Sequence, residues 1–514
     1  MTVKSRRVLV GCDIGTSGTK AAVVDGDGTI LASQYKEYAL HVPRPGWAEH
    51  HPDIYWSAVS TTISAVLNKA KIDPHGVAAI SISGLSPACI LVDERGNPLT
   101  SAHIWMDRRG VAESKWVAER IGVSRIQELT GNGVDPYYGT VKLLWEARNR
   151  LDIYRKAFKT LSPSGFAVLK LTGRFTMDYS NASVMGIVFD IRNRCWNSDL
   201  MDEVGLAQDK FPDLFPCDMV VGEVTNTAAK EIGIATGTPV VAGTVDCNAA
   251  WLASGAVDPG NSSLVMGTAG IFGVVHREPH FAKGMMTIVH TAYSKEYYTT
   301  VAAIVSCGSI LRYFRDEFGH VEKAFADIMK GSPYDWLTHE ASQVDPGANG
   351  LVVLPYFMGE RTPVWDPLAR GVMVGWSLAH SRRHILRALM EAPAYAIRDN
   401  VERMEAHGIV IHEPFSISEG GAISALWRQI MVDVLGRSAD FSESFVGAPV
   451  GNAINAGVGV GLFRDYNVVN QWDREHSLTK PDETRSNLYD RQFRVYKDIY
   501  PRLRSLFPEL IELQ

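Results

Sequence analysis

The sequence predicts an α/β fold built twice in one chain. Two observations predict it. A pair of glycine-threonine turns each sit between apolar, β-prone runs, and one order of elements recurs after residue 260. The first turn is Asp13-Ile14-Gly15-Thr16-Ser17-Gly18-Thr19-Lys20, between Val8-Leu9-Val10-Gly11 and Ala21-Ala22-Val23-Val24. The second is Met266-Gly267-Thr268-Ala269-Gly270, between Ser263-Leu264-Val265 and Ile271-Phe272-Gly273-Val274-Val275. Each reads as strand, tight polar turn, strand. Glycines let such a turn fold back and free its N–H groups to point at an anion. One such turn alone is an ordinary hairpin connection. Two at equivalent points suggest a duplicated fold that grips a nucleoside triphosphate from both sides. Neither is a Walker loop, because no Gly-Lys-Ser/Thr opens a helix.

The elements follow in order. Residues 7–42 read as three strands, with Asp25-Gly26-Asp27-Gly28 turning between the second and third. Asp53, after Pro52, is placed to cap a helix whose apolar face is Trp56, Val59, Ile63, Val66 and Leu67. Residues 77–83 form a strand, 89–92 another, and Asp93-Glu94-Arg95-Gly96-Asn97 a turn. An amphipathic helix is expected over 107–121. Strands near 263–275, 286–291 and 297–303, then a helix over 309–318, repeat that order. The economical explanation is a repeated α/β unit, 1–254 and 255–514, with its boundary near Gly255-Ala256-Val257-Asp258-Pro259-Gly260. Pro393 falls inside a helix beginning near His384, where it removes a backbone donor. Residues 470–486 read as a polar linker. Tyr489, Phe493, Tyr496 and Tyr500 then line one face of a C-terminal helix, a packing stripe with no assigned chemistry.

The bulk numbers narrow the function classes. The chain has 514 residues, 46% hydrophobic and 21% charged, with a formal net charge of −6. Those are values for a globular protein of two or more domains. No basic surplus argues for nucleic acid or an anionic membrane as partner. The six cysteines form no C-x-x-C pair and have no zinc spacing with the histidines. The N-terminus, Met1 to Arg7, is basic, but the apolar run after it breaks at Asp13, too short for a signal-peptide core. No run reaches the ~18 apolar residues of a membrane span. The expected setting is the cytoplasm with reduced thiols, and a homodimer is compatible with these features.

Three constellations can carry chemistry. Asp246 ends an apolar strand and is followed by small residues that start a helix. Strand ends are where α/β folds place reactive groups. A carboxylate there accepts the proton of a substrate hydroxyl attacking phosphorus, or it caps the helix; the residues alone leave the two even. Gly420 and Gly421 join a strand to a helix, where glycine allows close approach to a flat ring or ribose, or simply makes the connection. Trp105-Met106-Asp107-Arg108-Arg109 opens a helix. Its neighbouring Asp and Arg offer acceptor and donor to a polyol, although a capping Asp beside a solvated Arg fits the residues better.

Longer motifs then bring a resemblance. Gly371-x-Met373-x-Gly375-Trp376 is followed by His384-Ile385-x-x-Ala388-x-Met390-Glu391. Pro355-Tyr356-Phe357-Met358-Gly359-Glu360-Arg361-Thr362-Pro363 precedes Asp366-Pro367-x-Ala369-Arg370-Gly371. Gly46-Trp47-Ala48-Glu49 stands before Asp53 and Trp56. In these motifs, and over nearly all its length, the chain resembles the FGGY carbohydrate kinases, of the actin-like (ribonuclease-H-like) ATPase fold, and most of all their xylulokinase branch.

The resemblance implies two such domains with a central cleft, and an ATP- and Mg²⁺-dependent kinase for a small ketose or polyol. It implies Asp246 as general base. It assigns Thr16, Ser17, Lys20, Gly267, Thr268 and Gly308 to the phosphates, Gly420 and Gly421 to the adenosine, and Asp13 with Asp246 to Mg²⁺. Ser86, Trp105, Asp107 and Arg108 would join Asp246 around the sugar. One departure concerns the substrate. Xylulokinases carry Gly-Gln-Met-His where this chain has Gly84-Leu85-Ser86-Pro87-Ala88, and glycerol kinases carry an Arg-Glu pair there. With neither hook present, a tetrulose, tetritol, aldonate or signalling furanone is the alternative substrate. A chaperone or filament ATPase of the same fold is the alternative of another class.

Overall fold

A computed structural model describes residues 7–442 and 447–513. The basic residues Met1 to Arg6 lie outside the described residues. The first sheet starts as an antiparallel meander of β1 (Val8–Ile14), β2 (Gly18–Asp25) and β3 (Ile30–Glu37), as the apolar runs and glycine turns predict. The helix Asp53–Ala70 follows. Its cap position is held by Pro52, with no side-chain cap bond, so Asp53 does not cap it. Its carboxylate sits instead in the first turn, where it favours the helix dipole. The strand β4 (Val77–Gly84) then returns parallel to β1.

Further along come β5 (Val220–Glu223), β6 (Pro239–Val241) and the short β7 (Thr244–Val245). The sheet order is β5-β6-β4-β1-β2-β3, with β7 also pairing β4. The helix Asp246–Ala253 leaves directly from β7.

The second sheet repeats the plan. β8 (Ser262–Met266) and β9 (Gly270–His276) form the hairpin. β10 (Met286–Val289) is an edge strand, and β11 (Tyr298–Ile304) pairs β9 as β3 pairs β2. β12 (Phe415–Ser418) runs parallel to β8 as β4 does to β1. β13 (Ala439–Ser442) and β14 (His476–Thr479) complete the order β10-β11-β9-β8-β12-β13-β14. β10 has no counterpart in the first sheet and β7 none in the second, so the repeat holds strand by strand only once both are set aside.

Two local expectations change. The helix expected over 107–121 spans Val111–Ile121, because Asp107 is held in a turn by other bonds. The segment read as a linker supplies β14, which pairs β13 and then leads into the helix Glu483–Leu503. It reads as polar because three of its four residues are exposed on an edge. The aromatic stripe packs as expected: Tyr395 stacks on Phe493 and Tyr496, all three buried. The helix Arg382–Ala406 runs through Pro393.

One element crosses between the halves. The helix Ala448–Gly459, late in the chain, lies on the first sheet. A Cβ at Gly11 would stand 1.8 Å from the Pro449 carbonyl oxygen, so β1 needs glycine there to admit the helix. Asn452 on that helix donates to the Cys12 carbonyl at 2.8 Å. Among the described residues no helix is long and apolar enough to cross a membrane.

Candidate active site

The first turn is built from side chains. Asp13, one residue before the end of β1, lies opposite Ser83 of β4 and Lys20 of β2. The Ser83 hydroxyl donates to Asp13 Oδ1 at 2.6 Å, and Asn452 Nδ2 donates to Ser83 Oγ at 2.7 Å. Burial pushes the Asp13 carboxyl above its usual range. The Ser83 bond opposes that, Glu419's charge adds to it, and Lys20's charge opposes it. Gly15 N–H donates to the Gly18 carbonyl at 2.9 Å and closes the turn. Thr16 Oγ1 accepts from Trp105 Nε1 at 2.9 Å, tying the turn to the expected sugar side. Ser17 is exposed at the tip, its carbonyl taken by Tyr35 and Tyr38.

Asp246 stands one strand away. Thr244 of β7 pairs with Ser83, which pairs with Asp13, so three strand ends lie level and Asp246 follows just beyond. It does not cap its helix. Val245 holds the cap position without a side-chain cap bond, and Asp246 Oδ1 accepts from the adjacent Cys247 N–H at 2.6 Å. Burial raises its pKa most, Asp13's charge raises it further, and Cys247 N–H and Arg361 pull it down. Asp13 is thus near enough for Asp246 to feel its charge.

The second turn is built from backbone. Gly308 N–H donates to the Gly267 carbonyl at 2.9 Å, while Cys307 and Ser309 N–H donate to the Thr268 carbonyl at 3.0 and 3.1 Å. A Cβ at Gly308 would lie 2.6 Å from the Gly267 oxygen, so this contact requires glycine. The helix Gly308–Phe318 starts there, with its N–H groups at the turn. Thr268 Oγ1 has only a long contact, 3.4 Å, from Arg312. Gly421 is also close: its Cβ would meet Met266 Cβ at 2.9 Å. Gly420 faces open space. Glu419, just before it, holds φ +71° and ψ −176°, a conformation glycine adopts far more readily.

The expected sugar wall divides. Trp105 is half-buried beside Thr16. Ser86 is buried, its hydroxyl donating to Asn181 Oδ1 at 2.8 Å, so its proton is engaged. Asp107 departs from its expected role. It is 1% exposed, and its carboxylate accepts from Ala48 N–H, Arg109 N–H and two nitrogens of the Arg109 guanidinium. No acceptor is left for a polyol. Arg108 pairs bidentately with Asp135, not with Asp107. Adjacent charges in sequence are not partners here.

Several residues escaped the sequence reading. Arg109 is buried between Asp107 and Glu49 and lies 3.5 Å over the Trp47 ring. Glu49 and Arg361 stood only within quoted family motifs. Asn452 carried no signal, because its partner Ser83 is 369 residues away in sequence.

Comparison with known proteins decides the family. The sequence matches the N-terminal domain of the FGGY family of carbohydrate kinases over residues 8–253 and the C-terminal domain over 262–460. The xylulose kinase of Escherichia coli (strain K12) is 30% identical over 455 residues, 87% of this chain and 88% of its own length. This chain belongs to the FGGY family of carbohydrate kinases.

The FGGY kinase also resembles the gluconokinase of Bacillus licheniformis, 26% identical over 98% of each chain. The crystal structure of xylulose kinase from Rhodospirillum rubrum superposes with a TM-score of 0.89 and 30% identity, over 98% of this chain and 100% of that one. Plasmodium falciparum glycerol kinase with ADP, 19% identical at a TM-score of 0.83 over 95% of this chain and 97% of that one, shares the fold. The fold is therefore the two-domain actin-like ATPase fold that the sequence implies, and the protein is a sugar kinase.

Proposed function

We propose that this kinase transfers the γ-phosphoryl group of ATP to a hydroxyl of D-xylulose or a close relative. What supports the reading is that the two halves carry two unlike sites. A desolvated carboxylate, Asp246, stands at the strand ends of one half, and a backbone cradle, Gly267-Thr268 against Gly308, stands in the other. In that reading the halves divide near residues 254–255. Asp246 takes the proton of the attacking hydroxyl, and its raised proton affinity suits a base. Thr16, Ser17 and Lys20 meet the phosphates from one side, and Gly267, Thr268 and Gly308 from the other. Gly420 and Gly421 pass beside the adenosine.

The residues fit a metal carried by the nucleotide. Among the described residues no group of three or more His, Cys, Asp or Glu could hold an ion alone. A divalent ion on ATP needs only one or two carboxylates and keeps its waters, and Asp13 with Asp246 supplies them. Mg²⁺ bound there would neutralise charge on the phosphates. Closure of the halves would exclude water from the acceptor position. The cysteines are free, in keeping with a cytoplasmic, reducing setting.

Ser86, with Pro87 and Ala88 beside it, gives the sugar wall little polarity. A wall without a dedicated hydrogen-bond hook discriminates only ~10–200-fold, against ~10⁴–10⁵ for a built one. A coupled ADP-release assay over D-xylulose, L-xylulose, D-ribulose, erythrulose, glycerol and gluconate tests this. D-xylulose should lead, with erythrulose within about 10²-fold in kcat/KM. Absence of ketose-stimulated ADP release would overturn the reading. The gluconokinase relatives favour one second reading, an aldonate acceptor; gluconate leading the panel would select it.

A further inference from the structure

Arg361 is a cation that the phosphoryl-transfer reading leaves unused. It belongs to the second half, in a loop pinned at several points. Glu360 Oε1 accepts from Val305 N–H at 2.8 Å, Ala303 N–H donates to Thr362 Oγ1 at 2.7 Å, and Trp365 Nε1 donates to the Gly284 carbonyl at 2.7 Å. From there the side chain reaches the other half. Its guanidinium lies 5.2 Å from the centroid of the Trp105 ring. Trp105 itself is bonded to Thr16 of the first turn.

The other end of its environment is the second turn. Arg361 Nη2 has a long contact, 3.5 Å, to the Ile304 carbonyl. Ile304 ends β11 and pairs with Gly270, the residue that closes the second turn. The guanidinium therefore stands between acceptor-side residues and the donor-side turn. Its Nε is buried without a hydrogen-bond partner. Among the described residues no ion pair to a carboxylate occupies it, although Asp246 is near enough to feel its charge. An arginine so held, with a buried donor unfilled, is costly unless an anion completes it. An oxyanion suits the planar fork.

We infer that Arg361 binds the transferring phosphoryl group and stabilises its charge in the transition state, a role that rests on the kinase reading above. In that step the acceptor oxygen forms a bond to the γ-phosphorus. The bond from that phosphorus to the β–γ bridging oxygen breaks, its electron pair stays on ADP, and the hydroxyl proton passes to Asp246. Arg361 contributes no proton or electron. It meets equatorial oxygens whose charge is fully aligned only during transfer, so it acts on kcat more than on KM.

The test compares wild type with Arg361→Ala and Arg361→Gln, using MgATP and whichever acceptor of the panel wild type uses best. Thermal unfolding and MgADP titration check each variant's fold, and the glutamine variant stands in if the alanine one does not fold. The expected result is a fall in kcat of about 10²–10³, with both KM values unchanged and the alanine variant's rate partly restored by added guanidinium. Inhibition by MgADP with fluoroaluminate and sugar, which mimics the group in flight, should weaken in parallel. An unchanged kcat overturns the inference, as does a rise in sugar KM alone. If wild type phosphorylates no sugar, the kinase reading fails first and this inference with it.

Discussion

The two glycine-threonine turns occupy the same place in their sheets but are braced differently. The first, closed by one backbone bond, is braced by side chains: Ser83 on Asp13, Asn452 on Ser83, Trp105 on Thr16. The second is fixed by backbone, with three N–H groups of the following helix start donating to Gly267 and Thr268 carbonyls. Duplication copies a hairpin's geometry, and the residues at the neighbouring strand ends decide its chemistry. In our account the carboxylates gather at the first turn, which serves acceptor, metal and one side of the phosphates. The second turn has no carboxylate and serves the donor.

The largest effect that tests this contrast is at Asp246. Asp246→Asn should lower kcat by about 10²–10⁴, while the unfolding midpoint and nucleotide affinity stay as in wild type. A steady-state assay checks it. A variant slowed by less than that range would remove Asp246 as the base.

Gly308→Ala comes next. The added Cβ would stand 2.6 Å from the Gly267 oxygen, and neither backbone yields easily. Overpacking of this kind costs about 1–3 kcal/mol, and here it moves the second turn. MgATP should bind roughly tenfold or more weakly, since 1.4 kcal/mol is tenfold, with sugar affinity intact. Gly15→Ala is the matched change in the first turn. Its Cβ would meet the Gly18 oxygen at 3.1 Å, so a smaller effect is expected.

The smallest effect on turnover is expected at Glu360, whose contribution is a pH dependence of stability. Burial pushes the Glu360 carboxyl up from 4.5 to about 8. The native state then holds a proton that the unfolded chain releases. Stability should therefore fall as pH rises from about 4.5 to about 8. Glu360→Gln should flatten that slope in denaturant titrations run at several pH values. An unchanged slope would mean that other groups carry it.

The fold was legible where local signals agree. Apolar runs between glycine turns announce both hairpins, and the apolar run before Asp246 announces the strand end that carries it. The linker misreading at 476–479 arose because an exposed edge strand has a loop's composition. The helix start was misplaced because Asp107 resembles a cap, whereas its carboxylate is filled by Arg109 and Ala48. Sequence gives no rule for which of two adjacent arginines pairs with it. Asn452 and Arg361 depend on chain segments brought together only by the fold, so no local pattern marks them.

Calorimetric titration of Thr268→Val and Thr16→Val, with D-xylulose and a non-hydrolysable MgATP analogue, tests the division between the halves most directly. Thr268→Val should weaken nucleotide binding by about 0.5–1.5 kcal/mol and leave sugar binding in the absence of nucleotide unchanged. Thr16→Val should weaken both, because its hydroxyl accepts from Trp105 and still has a proton to offer a phosphate. Selective loss of sugar binding in Thr268→Val would contradict the account.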